Sequence, residues 1–202
     1  MKRKLLSCIA ALLSALFSNG QFTENFSDGD ISNNPGWVGV SANWIVNPLL
    51  QLQSNNTVAN STFYLSTIST LALTAQWEFS CKLGFNPSAV NYMDVFVTAS
   101  DSDLSQASAT GYFVRLGGTD DEISLYRKDN GSVTKIIDGI NGSLNSSSNE
   151  IRITLIRDAA NQWRLTRNLN AAGFFMEGST TDATYLNSSW FGILVKQSSA
   201  GF

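Results

Sequence analysis

Seven residues near the middle of the chain have types and spacing that could hold a polar ligand: Asp94, Phe96, Phe113, Arg115, Glu122, Ser124 and Tyr126. Within each of three apolar-rich runs they sit two apart, so a strand period of two puts them together on the wetter side of a sheet. Aromatic planes beside carboxylates and a guanidinium are what a sugar-binding groove uses. Ring faces stack on C–H surfaces, and charged forks bind hydroxyls. Arg115 and Glu122 are near-symmetric about Gly117-Gly118-Thr119-Asp120, which predicts that they face each other across that hairpin. Such a cross-strand pair is worth only about 0.2–1 kcal/mol. The same residues therefore also fit a half-exposed face laced with structural ion pairs.

A second constellation lies near the start of the chain. Glu24, Asp28 and Asp30 place three carboxylates within seven residues, around Gly29, which permits a sharp turn. Hard oxygen ligands of this kind suit calcium, which takes roughly six to eight oxygens, so backbone carbonyls would have to complete the set. The alternative is a solvated turn with aspartate capping. Trp37 follows Asn33-Asn34-Pro35-Gly36 and is the tryptophan expected to stay partly exposed as a ligand platform. Trp77 and Trp163 fall on the apolar side of their runs and are expected in the core.

Other chemistry is excluded by what is missing. The sequence holds no histidine, which removes Ser-His-Asp and Cys-His nucleophile systems and the usual zinc sites. Glycoside hydrolysis of the retaining kind needs carboxylates about 5–5.5 Å apart, which on a sandwich strand would come from acids at adjacent inward positions. Asp120-Asp121-Glu122, the densest acidic run, sits instead at a turn, where neighbours point opposite ways. An enzyme is thus a remote reading. The net charge of −3, with no basic stripe, argues against a nucleic-acid partner.

Residues 1–20 read as a secretory signal peptide: a basic Lys2-Arg3-Lys4, an apolar Leu5–Phe17, and small residues before a cut at Gly20-Gln21. Leu5-Leu6-Ser7-Cys8 resembles a lipobox but precedes most of the apolar stretch, so a lipid anchor is rejected. No later run is long enough to span a bilayer. Past the cut one cysteine is left, Cys81, which excludes an intrachain disulfide and reads as a small buried hydrophobe.

The elements that must position these residues are strands throughout. Thr74–Phe85 alternates, with Trp77, Phe79, Cys81 and Leu83 on one face. Tyr92–Ala99, Gly111–Leu116, Glu122–Arg127 and Val133–Ile137 follow, and the whole stretch 74–137 reads as a β-meander. Shorter runs at Gln21–Phe26, Trp37–Val40, Asn43–Val46, Leu49–Gln53 and Phe63–Ile68 precede it. Glu150–Arg157, Gln162–Asn168, Phe174–Glu177 and Trp190–Lys196 come after. Only Thr181–Leu186 suggests a helical turn. Residues 21–202 are therefore expected to form a single all-β domain, an antiparallel β-sandwich or jelly roll.

The opening Glu24–Asp30, Asn34-Pro35-x-Trp37-x-Gly39, Phe85-Asn86-Pro87-Ser88, Gly111–Arg115, Asp121–Arg127, Lys135–Gly139 and Thr181–Tyr185 together carry a resemblance. The chain resembles the N-terminal module of large secreted proteins of gliding Gram-negative bacteria, which often carry lamin-tail-type domains and a sorting tail downstream. That resemblance implies a concanavalin/LamG-like jelly roll, a secreted or cell-surface location, and a further short strand after Trp190–Lys196. Two functions stand: a non-catalytic glycan- or adhesin-type binding module taking polysaccharide in a concave-face groove, or a spacer and protein-interaction domain whose concave face is filled by its own side chains. In either case the chain is a monomer or a module of a longer protein.

Overall fold

The structure, a computed structural model, describes residues 23–199. The signal-peptide expectation for residues 1–20 lies outside the described residues. Thirteen strands follow in order: β1 (Val38–Gly39), β2 (Trp44–Val46), β3 (Leu52–Ser54), β4 (Ser61–Ile68), β5 (Ala75–Leu83), β6 (Tyr92–Ala99), β7 (Gly111–Gly117), β8 (Glu122–Asp129), β9 (Ser132–Ile137), β10 (Asn149–Arg157), β11 (Gln162–Leu169), β12 (Phe174–Thr181) and β13 (Trp190–Gln197). A single 3-10 turn, Ser41–Asn43, interrupts them.

The strands form a seven-stranded sheet ordered β1-β4-β13-β6-β7-β8-β9, a four-stranded sheet ordered β12-β11-β10-β5, and the small pair β2-β3. All pairings are antiparallel. The two larger sheets meet across a core in which Tyr112, Val114, Leu116, Ile123 and Leu125 face Trp77, Ile151, Ile153, Leu155, Trp163 and Leu165. Trp77 and Trp163 stack with ring centroids 5.8 Å apart. Alternation along each strand does this: one side turns inward, the other to solvent or to loops. Asn130 and Gly131, both with positive φ, close the β8–β9 hairpin, since that tight turn needs two left-handed residues.

Several expectations are corrected. β5 does not join the meander; among the described residues its strand partner is β10, so the meander proper is β6–β9. Thr23–Phe26 carries no strand, and Gln21 and Phe22 lie outside the described residues. No helical turn forms at Thr181–Leu186: Thr181 ends β12, and the Asp182 carboxylate accepts hydrogen bonds from the Thr184 amide and the Tyr112 hydroxyl. Cys81 packs against the core as expected, and desolvation pushes its thiol up to about 12. No helix among the described residues is long and apolar enough to cross a membrane.

Candidate functional site

Sheet register lays the candidate residues out in rows on the outer face of the seven-stranded sheet. Gly192, Phe96, Phe113, Tyr126 and Lys135 are successive cross-strand partners in the first row. Leu194, Asp94, Arg115 and Ser124 make the second, and Lys196, Tyr92, Gly117 and Glu122 the third. The seven residues picked from the middle of the sequence thus share one face. Arg115 and Glu122, however, do not face each other. The β7–β8 turn spans residues 118–121, so Gly117 opposes Glu122 and Arg115 opposes Ser124.

Arg115 turns instead to Asp94. Its Nε and Nη2 donate to the two carboxylate oxygens at 2.7 and 2.8 Å, a bidentate pair. Burial pushes the Asp94 carboxyl up, against the pull of Arg115. The guanidinium lies 4.0 Å from the centroid of Tyr92 and 5.1 Å from that of Tyr126, so it is wedged between two rings. Behind it, Phe96, Phe113 and Tyr126 form a ladder of stacked rings, 4.8 and 5.3 Å apart. Burial raises both tyrosine hydroxyls, which stay protonated at neutral pH and available as donors.

Glu122 is paired with Lys135. The lysine Nζ lies 2.6 Å from Glu122 Oε1, 2.7 Å from Asp138 Oδ1 and 3.2 Å from Asp120 Oδ2. Burial opposes the ammonium charge, but the three carboxylates outweigh it and hold Lys135 above the ordinary lysine range. Ser124 donates to the same Glu122 oxygen at 2.6 Å and accepts the Gly139 amide at 2.8 Å. A Cβ at Gly139 would lie 2.1 Å from the Ile123 carbonyl, so only glycine brings that amide so close.

Most of this face is covered. The loop 100–110 folds over the first two rows: Leu104 is fully buried against Phe96, Phe113 and Leu194, and a Cβ at Gly192 would meet it at 2.7 Å. Lys128 fastens the loop by donating to the carbonyls of Leu104 and Gln106, both at 2.8 Å. Phe96, Phe113, Asp94, Glu122 and Ser124 are all at most 4% exposed, so they support the face rather than touch a ligand. Arg115 and Tyr126 reach solvent, together with Tyr92, Lys135 and Lys196. Those last three are additions; Tyr92 shares the parity of Asp94 and Phe96, and Lys135 stands opposite Tyr126 across a two-residue turn.

Trp37 does not belong to the site. It is 8% exposed and packs with Phe26 and Phe191, ring centroids 6.1 and 6.2 Å away, in a cluster with Trp44, Phe63 and Leu65. Nor do Glu24, Asp28 and Asp30 converge. Glu24 accepts the Phe26 amide and the Trp37 indole N–H. Asp28 accepts the Asp30 amide, and Asp30 caps Ser32 and Asn33. Among the described residues no group of three or more His, Cys, Asp or Glu could hold a metal ion. These carboxylates are occupied by nearby backbone amides and neighbouring side chains, the Asx-turn chemistry that competes with ligation.

No family model matches the sequence, and no curated protein matches it. Solved structures do. The carbohydrate binding module CBM66 from Bacillus subtilis superposes with a TM-score of 0.54 at 12% identity, over 81% of this chain and 92% of that one. The metal-free lectin I-B4 from Griffonia simplicifolia gives 0.58 at 13%, over 82% and 86%. The metal-free Emp46p carbohydrate recognition domain gives 0.54 at 12%, over 89% of each chain. Identities this low carry the architecture alone: the chain is an antiparallel β-sandwich of the jelly-roll type these three proteins share.

Proposed function

We propose that this chain is a non-catalytic glycan-binding module, exported to the cell surface or the medium within a larger secreted protein of the kind its sequence resembles. The contact surface is the strip formed by Tyr92, Arg115 and Tyr126, with Lys135 and Lys196 at its margins. One observation carries the reading. Arg115 is fixed by Asp94 and two rings, while its third nitrogen, Nη1, has no acceptor among the described residues. A preorganised donor beside phenol hydroxyls suits polysaccharide hydroxyls and costs little ordering on binding. The names of the structural neighbours, a carbohydrate binding module, a lectin and a carbohydrate recognition domain, support the same class. Catalysis is not part of the reading, because Asp120, Glu122 and Asp138 all converge on Lys135 rather than on an open pit.

A second reading, a spacer or protein-interaction domain, is favoured by the covering of the outer face by loop 100–110. A glycan array probed with the mature chain separates the two. The binding reading expects retention on at least one plant, algal or bacterial polysaccharide, reduced more than about tenfold by Arg115→Met. Silence across all three groups would leave the spacer.

A further inference from the structure

Among the described residues, every lysine and arginine but one meets an acceptor that answers its charge. Most pair with carboxylates. Lys128 and Arg157 donate instead to backbone carbonyls. Lys196 is the exception: its Nζ meets only the ring of Tyr92, 5.8 Å from the centroid. It stands half-buried on β13, in the outward row that runs Thr62, Lys196, Tyr92. Its charge is not cancelled by any described residue and is free for a ligand.

Tyr92 joins Lys196 to the strip described above. The same ring carries the Arg115 guanidinium 4.0 Å from its centroid. Asp94 takes Arg115 Nε and Nη2, which cancels the charge of Arg115 and leaves Nη1 as a directed donor. One tyrosine thus holds an uncancelled ammonium and a directed N–H donor. A hydroxyl satisfies the donor, but the ammonium is best answered by an anion.

The far end of the strip has the opposite sign. Lys196 lies on β13 and Lys135 on β9, four strand spacings or roughly 19 Å apart. Around Lys135 three carboxylates, Asp120, Glu122 and Asp138, outnumber one ammonium. An acid group is drawn to the Lys196 end and repelled from the Lys135 end, so the strip has an electrostatic direction.

We infer that the strip takes glycans bearing acid groups, carboxylate or sulfate, with the acid group seated at the Lys196 end beside Tyr92 and Arg115. The inference rests on the glycan-binding reading above and narrows it. Lys196 supplies the charge and Arg115 Nη1 the direction. Tyr126, on the other side of the guanidinium, offers ring and hydroxyl to the neighbouring sugar.

The test uses the mature chain and two matched pairs: oligogalacturonate against its methyl ester, and dextran sulfate against dextran. Titration calorimetry at low salt is expected to favour at least one acid over its neutral twin by about fivefold or more, the worth of one charge pair at about 4 Å in water. That preference should shrink severalfold as salt is raised to about 0.5 M. Lys196→Met should bring acid and twin to nearly equal affinity, while Lys196→Arg keeps the preference. The two arms tell carboxylate from sulfate. Equal binding within both pairs overturns the inference; if Arg115→Met then abolishes that binding, the glycan reading stands without it. A preference that survives Lys196→Met also overturns it, because the charge would lie elsewhere. If none of the four is retained, the inference falls, and the glycan array alone decides the reading beneath it.

Discussion

The outer face around Arg115 and the rim around Asp182 both bury charge, and they balance it differently. At the rim the strong groups are matched, apart from the Arg157 Nε, which is buried without an acceptor among the described residues. Asp182 accepts from the Tyr112 hydroxyl at 2.5 Å, the Thr184 amide at 2.9 Å and Arg127. Arg157, fully buried, donates to the carbonyls of Ala72 at 2.9 Å, Tyr185 at 2.8 Å and Asp182 at 3.3 Å. Its guanidinium lies over Trp163, 4.8 Å from the ring centroid, and Trp163 in turn donates to the Asp182 carbonyl. On the outer face the pairing stops short, with no partner among the described residues for Arg115 Nη1 or for the hydroxyls of Tyr92 and Tyr126. A network buried in this way holds structure together, whereas one that ends at a half-exposed surface has capacity for something else.

Breaking the rim should cost the most. Arg157→Leu removes the donor from three carbonyls at the end of the core, and the expected loss is about 3–5 kcal/mol in urea unfolding. Glycan retention by the fraction that remains folded should not change. Lys135→Met comes next, because it strands the buried Glu122 carboxylate on the outer face. About 2 kcal/mol is expected, less than the roughly 3–5 of a fully buried pair, since the Lys135 side chain is 26% exposed. Adding Glu122→Gln should restore part of that stability. If the double variant is no more stable than Lys135→Met, the lysine is not there to neutralise Glu122.

Asp182 supplies a smaller effect with a definite pH dependence. Burial alone would raise its carboxyl, but the Tyr112 hydroxyl, Thr184 and Arg127 outweigh it and hold it below the ordinary 3.8. A carboxylate depressed in the folded state stabilises above its unfolded value, and that stabilisation disappears as pH falls through the lower folded value. Asp182→Asn should therefore cost about 1–2 kcal/mol at pH 7. Its melting temperature should approach that of the parent as the pH falls below 3.8 and through the lowered folded value. Parallel profiles for the two proteins would show that Asp182 does not titrate with folding.

Much of the fold is legible in the alternation, and the misreadings have physical reasons. Displacing the β7–β8 turn by one residue shifts the strand pairing by two, which keeps every side chain on its face but changes its partner. Asp94, and not Glu122, is therefore the carboxylate that Arg115 meets. The period that sends Ile151, Ile153 and Leu155 inward sends Arg157 inward as well, and only its charge hides that. Trp37 follows a turn that suggests exposure, but Phe191, far along the chain, closes over it. Chain order cannot reveal that β5 crosses to the other sheet. Nor does it say that loop 100–110 folds back over Phe96 and Phe113, because its anchor is a lysine bonded to backbone carbonyls.

The finest probe of the open network is Arg115→Lys. Lysine keeps the charge but loses the planar fork that grips both Asp94 oxygens and lies between Tyr92 and Tyr126. The stability cost is expected to stay near 1 kcal/mol, because an ammonium can still reach the carboxylate. Binding should fall further than stability does, by about tenfold or more, since no donor is then held in the plane that Nη1 occupies. Tyr92→Phe, which keeps the ring against Arg115 and removes only a hydroxyl, should cost binding a few-fold and stability almost nothing. If Arg115→Lys lowers stability and glycan retention in proportion, Arg115 is a structural cation like Arg157, and the two regions do not differ in kind.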